Sequence, residues 1–149
     1  DGPEENKLKK IANSNIKFCG RKSNSEINQL MSTCRAFVYA GIEDFGIAPV
    51  EAMASGAPVI AYGKGGILDT VKCISEKSQT NIATGLLFNS QSPKGIYDTI
   101  SWFEDKKAWK LFNSEDINNH AKKFNNLNFN KEFETFTFKS LETFQKNMK

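Results

Sequence analysis

The sequence contains one histidine, His120, and three cysteines, Cys19, Cys34 and Cys73. An odd cysteine count without a CxxC pair supports neither a zinc framework nor a closed set of disulfides, so the thiols read as reduced, as in a cytosolic protein. Cys19 and Cys34 border predicted strands and are assigned to the core. There is no long apolar span and no signal peptide, so the chain is expected neither to span a membrane nor to be exported by its own sequence. Excess charge is small: 20 Lys and Arg against 17 Asp and Glu leave +3. Basic residues form no stripe and no nucleic-acid-binding motif occurs, so no nucleic-acid partner is expected. Gly63-Lys64-Gly65-Gly66 is glycine-rich but lacks the GxxxxGK[S/T] order of a Walker A loop. Glu43-Asp44 has no third ligand at suitable spacing, so no metal is expected.

The chain is long enough, at 149 residues, for one domain with a real core. Its most informative stretch runs from Glu43 to Gly56, between two apolar runs, Ala36-Phe37-Val38-Tyr39 and Pro58-Val59-Ile60-Ala61-Tyr62. This is the strand, loop, helix, strand order of a parallel βαβ unit. Pro49 suits a first helical turn, where its missing N–H costs nothing. Val50, Met53 and Ala54 fall at helical spacing, and Gly56 can end the helix in a left-handed conformation before Pro58. Glu51 then sits in the first turn, with Glu43 on the loop just before it. Both carboxylates gather where the backbone N–H groups of Phe45, Gly46, Ile47 and Ala48 are free, an end suited to a phosphate. A carboxylate there can also accept hydrogen bonds from a pair of neighbouring hydroxyls.

The other elements follow from the same signals. Glu4 to about Ala12 is predicted helical, with acids first and lysines last. Ile16 to Cys19 is predicted as a strand, and Gly20-Arg21-Lys22-Ser23-Asn24 as the loop at its C-terminal end, where open α/β sheets bind ligands. Ser25 is expected to cap a helix running to about Thr33. After Gly66 come a short helix, Ile67–Val71, a polar surface insertion from Lys72 to Ala83, and a strand, Thr84–Phe88. Ser92-Pro93 opens a helix to about Glu104, with Ile96, Ile100 and Phe103 facing the core. Helices are expected near Lys106–Phe112, Ser114–Phe124 and Asn130–Asn147. The last carries Phe133, Phe136, Leu141, Phe144 and Met148 on its apolar side, although its Thr-Phe-Thr-Phe also alternates like a strand. His120 is placed on a polar helix face without a role.

The segment EDFGIAPVEAMASGAPVIA, with glutamates eight positions apart, resembles the E-x7-E signature of the retaining glycosyltransferases of family GT4. That resemblance implies an α/β fold, a Rossmann-like parallel sheet flanked by helices. It would be the C-terminal, donor-binding half of a two-domain GT-B fold, truncated at its N-terminus and ending in a helical tail. Residues 1–128 would form the incomplete nucleotide-sugar-binding domain and 129–149 a C-terminal amphipathic helix.

Residue by residue, the resemblance makes Glu43 the catalytic glutamate, set against the donor sugar. It puts the amides of Phe45, Gly46, Ile47 and Ala48 on the sugar hydroxyls and diphosphate, and Glu51 on the ribose. Gly65 and Gly66 would let backbone approach the donor. Gly20, Arg21, Lys22 and Asn24 would lie beside the base, or be solvated loop residues. No cofactor is implied; the donor is a nucleotide-sugar. The runs EDFGI-PVEAMASG-PVIA, GG-LDTV and TGLLF most resemble bacterial mannosyltransferases that build lipopolysaccharide O-antigen. This favours GDP-mannose over UDP-sugars and a cytoplasmic enzyme at the inner face of a membrane, bound peripherally. The acceptor, a glycan or lipid-linked glycan, would be held by an N-terminal domain that the chain lacks, and the chain alone is expected to be inactive. A UDP-sugar transferase, a nucleotide-sugar epimerase and a non-catalytic binding domain are the alternatives.

Overall fold

The computed structural model describes residues 2–74 and 82–148. Three parallel strands form the sheet: β1 (Phe37–Tyr39), β2 (Val59–Tyr62) and β3 (Gly85–Phe88), in the spatial order β1-β2-β3. Phe37 pairs with Val59 and Val59 in turn with Gly85. The helices are α1 (Glu5–Ile11), α2 (Asn24–Thr33), α3 (Ile47–Ala54), α4 (Ile67–Thr70), α5 (Pro93–Asp105), α6 (Ser114–Ala121) and α7 (Asn126–Asn147). Short 3-10 turns occupy Ala108–Leu111 and Lys122–Phe124. This is the expected α/β architecture, a parallel sheet flanked by helices that ends in a helix. Among the described residues no helix is long and apolar enough to cross a membrane.

The middle strand explains the layering. A strand with helices on both faces must be apolar on both, and Val-Ile-Ala meets that demand. Val59 and Ala61 face a cluster with Met53, Ala52, Ile67, Ile117 and Ala121, whereas Ile60 faces Leu86, Phe88, Phe103 and Ala108. The alternation is the two-residue period of a strand. Burying side chains such as Ile60 and Phe103, 1% and 2% exposed, favours folding by about 1.5–3 kcal/mol each.

Several local expectations hold. Gly56 takes φ +84° and ends α3. Ser92 caps α5, its hydroxyl accepting from the Gly95 N–H at 3.1 Å, with Pro93 as the first helical residue. Phe103 is buried, and Ile96 and Ile100 pack against the same cluster.

Others are corrected. Ile16–Cys19 is not a strand: it pairs with no strand among the described residues, and Ile16, Phe18 and Cys19 are exposed. A strand needs a hydrogen-bonded neighbour, and no described strand pairs with this segment. Cys19 is therefore not core; Cys34 is half-buried against the first cluster, and burial raises its thiol pKa. Ser23, not Ser25, caps α2. Its hydroxyl accepts from the Glu26 N–H at 3.3 Å, while Glu26 accepts from the Ser23 N–H at 3.0 Å, a reciprocal capping box. The Lys22 ammonium and these bonds hold the Glu26 carboxyl at about 2. Lys106–Phe112 yields only the 3-10 turn over Ala108–Leu111.

The last helix starts at Asn126, where the Asn125 side chain caps it through the Asn128 N–H at 2.8 Å. The Thr-Phe-Thr-Phe run is helical within it, and no residue of this helix is buried. Of the predicted insertion, residues 75–81 lie outside the described residues; its flanks meet where the Thr84 N–H donates to the Lys72 carbonyl at 2.8 Å.

Candidate functional site

In a parallel sheet all strands end on the same side, so the loops after β1, β2 and β3 share one rim. Three contacts draw them together. The Gln91 side-chain amide, after β3, donates to the Ala40 carbonyl, after β1, at 2.8 Å. The Gly63 N–H donates to the Phe88 carbonyl at 2.9 Å. The Gly66 N–H, after β2, donates to the Glu43 carbonyl at 2.8 Å.

Gly65 and Gly66 are required by close approach. A Cβ on Gly65 would lie 2.5 Å from the Glu43 carbonyl oxygen, and one on Gly66 would lie 2.7 Å from Phe45 Cα. The backbone that fills the space above this pair is that of Glu43 to Phe45. The two glycines therefore act on the Glu43 loop itself, a role the sequence reading did not give them.

Gly46 takes φ +85° and ψ 69° and turns this loop into α3. The Phe45, Gly46, Ile47 and Ala48 N–H groups find no acceptor among the described residues. Pro49, third in the helix, adds no further donor. Glu51 is not in the first turn, because α3 already begins at Ile47. It stands one turn above Ile47 on nearly the same side, and a helical side chain leans back toward the N-terminus. Its side chain is exposed, and the helix dipole acts on it less than in the first turn.

Glu43 is exposed and accepts one side-chain hydrogen bond, from the Tyr39 hydroxyl at 2.6 Å. That bond to a carboxylate raises the phenol's pKa. Phe45 is 45% exposed, with its ring edge-on to Phe124 at 5.8 Å. Phe124 meets His120 at 5.6 Å, and His120 Nε2 donates to the Thr70 carbonyl at 2.8 Å. His120 is 5% exposed, so it does not lie on a polar face. The spacing Ile117, His120, Ala121 was the available signal, since all three are buried on one side of α6. Tyr39, Gly41 and Gln91 are further contributors that the sequence reading missed.

The structure thus brings Glu43, Phe45, Gly46, Ile47, Ala48, Gly65 and Gly66 into one cluster, with Glu51 a turn away. It does not link Gly20, Arg21, Lys22 and Asn24 to them. Among the described residues no hydrogen bond or ion pair joins the two loops, and the Lys22 ammonium bonds Glu26 at 2.8 Å. Nor can any group of three or more His, Cys, Asp or Glu side chains there hold a metal ion.

Exposed carboxylates on Glu43 and Glu51 and unpaired amides at Phe45, Ile47 and Ala48, with Gly46 buried between them, are groups that can accept hydroxyl protons and donate to an anion. Against known proteins, residues 1–124 match the family described as glycosyl transferases group 1. The chain belongs to this family. It is 26% identical over its whole length to the alpha-1,3/1,6-mannosyltransferase ALG2 of Candida glabrata, covering 31% of that protein. It is 29% identical to the glycogen synthase of Treponema denticola, over 74% of this chain and 21% of that one. Among solved structures, sucrose-phosphate synthase from Thermosynechococcus elongatus superposes with a TM-score of 0.68 at 23% identity, over 93% of this chain and 33% of that one. That likeness shows the GT-B glycosyltransferase fold. The chain spans about a third or less of the length of these relatives.

Proposed function

We propose that the Glu43 loop and the N-terminus of α3 bind the donor of a retaining glycosyltransferase, a nucleotide-sugar. The observation that carries this reading is the clustering of Glu43 with the unpaired amides of residues 45–48 on a loop that packs directly against Gly65 and Gly66. The amides would take the diphosphate, since a helix N-terminus favours an anion. Glu51 would accept from the ribose hydroxyls. Glu43 would orient the sugar ring and stabilise positive charge that develops on it as the diphosphate leaves. The whole protein would pass the sugar to a glycan or lipid-linked glycan held by another domain. It would do so in the cytoplasm at the inner face of a membrane, as in lipopolysaccharide or polysaccharide synthesis.

The donor is assigned as GDP-mannose. This rests on the EDFGI-PVEAMASG-PVIA pattern and on a relative named as a mannosyltransferase. The reading that competes is a UDP-sugar donor, favoured by the range of relatives, which also includes a glycogen synthase. Calorimetry on the whole protein separates them. GDP is expected to bind at least tenfold more tightly than UDP, a gap of about 1.4 kcal/mol; tighter binding of UDP reverses the assignment. Gly20, Arg21, Lys22 and Asn24 are kept as the base-side contacts in this proposal, with Lys22 having to leave Glu26 to serve.

Glu51→Ala tests the ribose role. It is expected to weaken nucleotide binding by about 1–3 kcal/mol, the scale of hydrogen bonds to a charged group, and to leave the melting temperature unchanged, since its carboxylate is exposed. An affinity equal to that of the parent protein removes Glu51 from the site.

A further inference from the structure

Tyr39 is the last residue of β1, and its hydroxyl donates to Glu43 Oε1. Phe37 stacks on its ring at 6.3 Å and 14°, and Phe37 and Tyr39 pair with the buried β2 residues Val59 and Ala61. The hydroxyl is thus mounted on the sheet, whereas the carboxylate it meets is carried by a loop. Gly41 makes the contact possible. A Cβ at that position would lie 2.8 Å from the Tyr39 hydroxyl oxygen and 2.9 Å from ring Cζ, so any larger residue would push the ring aside. Tyr39 and Gly41 together form a device for reaching back along the loop to Glu43.

We propose that Tyr39 is a positioning residue for Glu43: its hydroxyl locks one carboxylate oxygen on the rigid sheet and leaves the other, Oε2, for the donor sugar. This rests on the role given to Glu43 above. A free glutamate on a loop samples several rotamers, and holding one in place lowers the entropy lost when the substrate engages it. The raised phenol pKa means that the hydroxyl keeps its proton, and so remains a donor, to higher pH than an isolated tyrosine.

The test has two arms, both on the whole protein. In the first, ultraviolet difference titration of parent minus Tyr39→Phe isolates Tyr39 from the other tyrosines, Tyr62 and Tyr97 among them. Tyr39 is expected to ionise above the ordinary value of ~10 and to move back toward it in Glu43→Ala, since the bond to Glu43 is the largest cause of the rise. In the second, Tyr39→Phe is expected to lower kcat about tenfold, as for one lost hydrogen bond to a charged group, with KM for the donor little changed. Gly41→Ala should reproduce that loss while keeping the hydroxyl. In a Glu43→Ala background Tyr39→Phe should cost nothing more, because its target is gone. An ordinary Tyr39 titration in the parent, or a full Tyr39→Phe loss in the absence of Glu43, overturns the proposal. If Tyr39 titrates high but Glu43→Ala transfers sugar at the parent rate, the function assigned to Glu43 falls and the positioning role falls with it.

Discussion

Glu43→Ala is expected to lower kcat for sugar transfer by the whole protein roughly 10²- to 10³-fold, the scale of removing one preorganised electrostatic group from a transition state. Stability should hardly move. Glu43 is exposed, and its one side-chain partner among the described residues is the Tyr39 hydroxyl at the end of a strand, so the folding change should stay within about 0.5 kcal/mol. A thermal melt and a rate measured on one preparation give both numbers. Glu43→Gln sharpens the result. It keeps the shape and an acceptor for Tyr39 but removes the charge, so a loss near that of alanine assigns the effect to charge. A loss much smaller than that of alanine assigns it to hydrogen bonding with the sugar. An alanine variant that melts like the parent and transfers at the parent rate sinks the catalytic role of Glu43.

The part of this site that could be read from sequence is the part encoded locally. The β1, loop, α3, β2 order follows from apolar runs and from Pro49, Gly56 and Pro58, whose effects act within a few residues. The helix caps were legible to within one or two positions. Ser92 met expectation, whereas Ser25 lost to Ser23, because the capping box with Glu26 satisfies two backbone donors at once. Contacts between distant segments were not legible. Gly66 is invisible as a partner of Glu43, 23 positions away, until the strands are paired. His120 reads as polar until α6 is laid on α4, where the Thr70 carbonyl receives it. Tyr39 reads as a strand residue with an apolar ring, and nothing local announces that its hydroxyl turns back over Gly41. The predicted strand at Ile16–Cys19 failed for the opposite reason. Its side-chain pattern is strand-like, but a strand is a relation between two segments, and no described strand pairs with this one. The apolar side of α7 was found by periodicity and yet is exposed along its length, because periodicity says which face wants burial and not whether a surface is there to bury it.

Gly66→Ala should damage fold and site together. Gly66 has φ −61° and ψ −13°, which alanine adopts freely, so the substitution carries no backbone penalty. The cost comes from space alone. The new Cβ would overlap the Asp44 carbonyl oxygen and lie 2.6 Å from its carbon and 2.7 Å from Phe45 Cα. These are backbone atoms, which cannot rotate away as a side-chain tip can. The loop must lift, and lifting it stretches the bond from the Gly66 N–H to the Glu43 carbonyl. A destabilisation of about 1–3 kcal/mol is expected, as for overpacking in a well-packed region. Donor affinity should fall at least about tenfold, because Glu43 and the amides of residues 45–48 ride on the same loop. Gly63→Ala is the control. Its Cβ would meet only atoms at 3.5 Å or beyond, ordinary contact distances, so both melting temperature and affinity should stay near those of the parent. A Gly66→Ala protein that is destabilised yet binds the donor as the parent does would show that the Glu43 loop can move without consequence, and the donor would then have to be placed elsewhere on the rim.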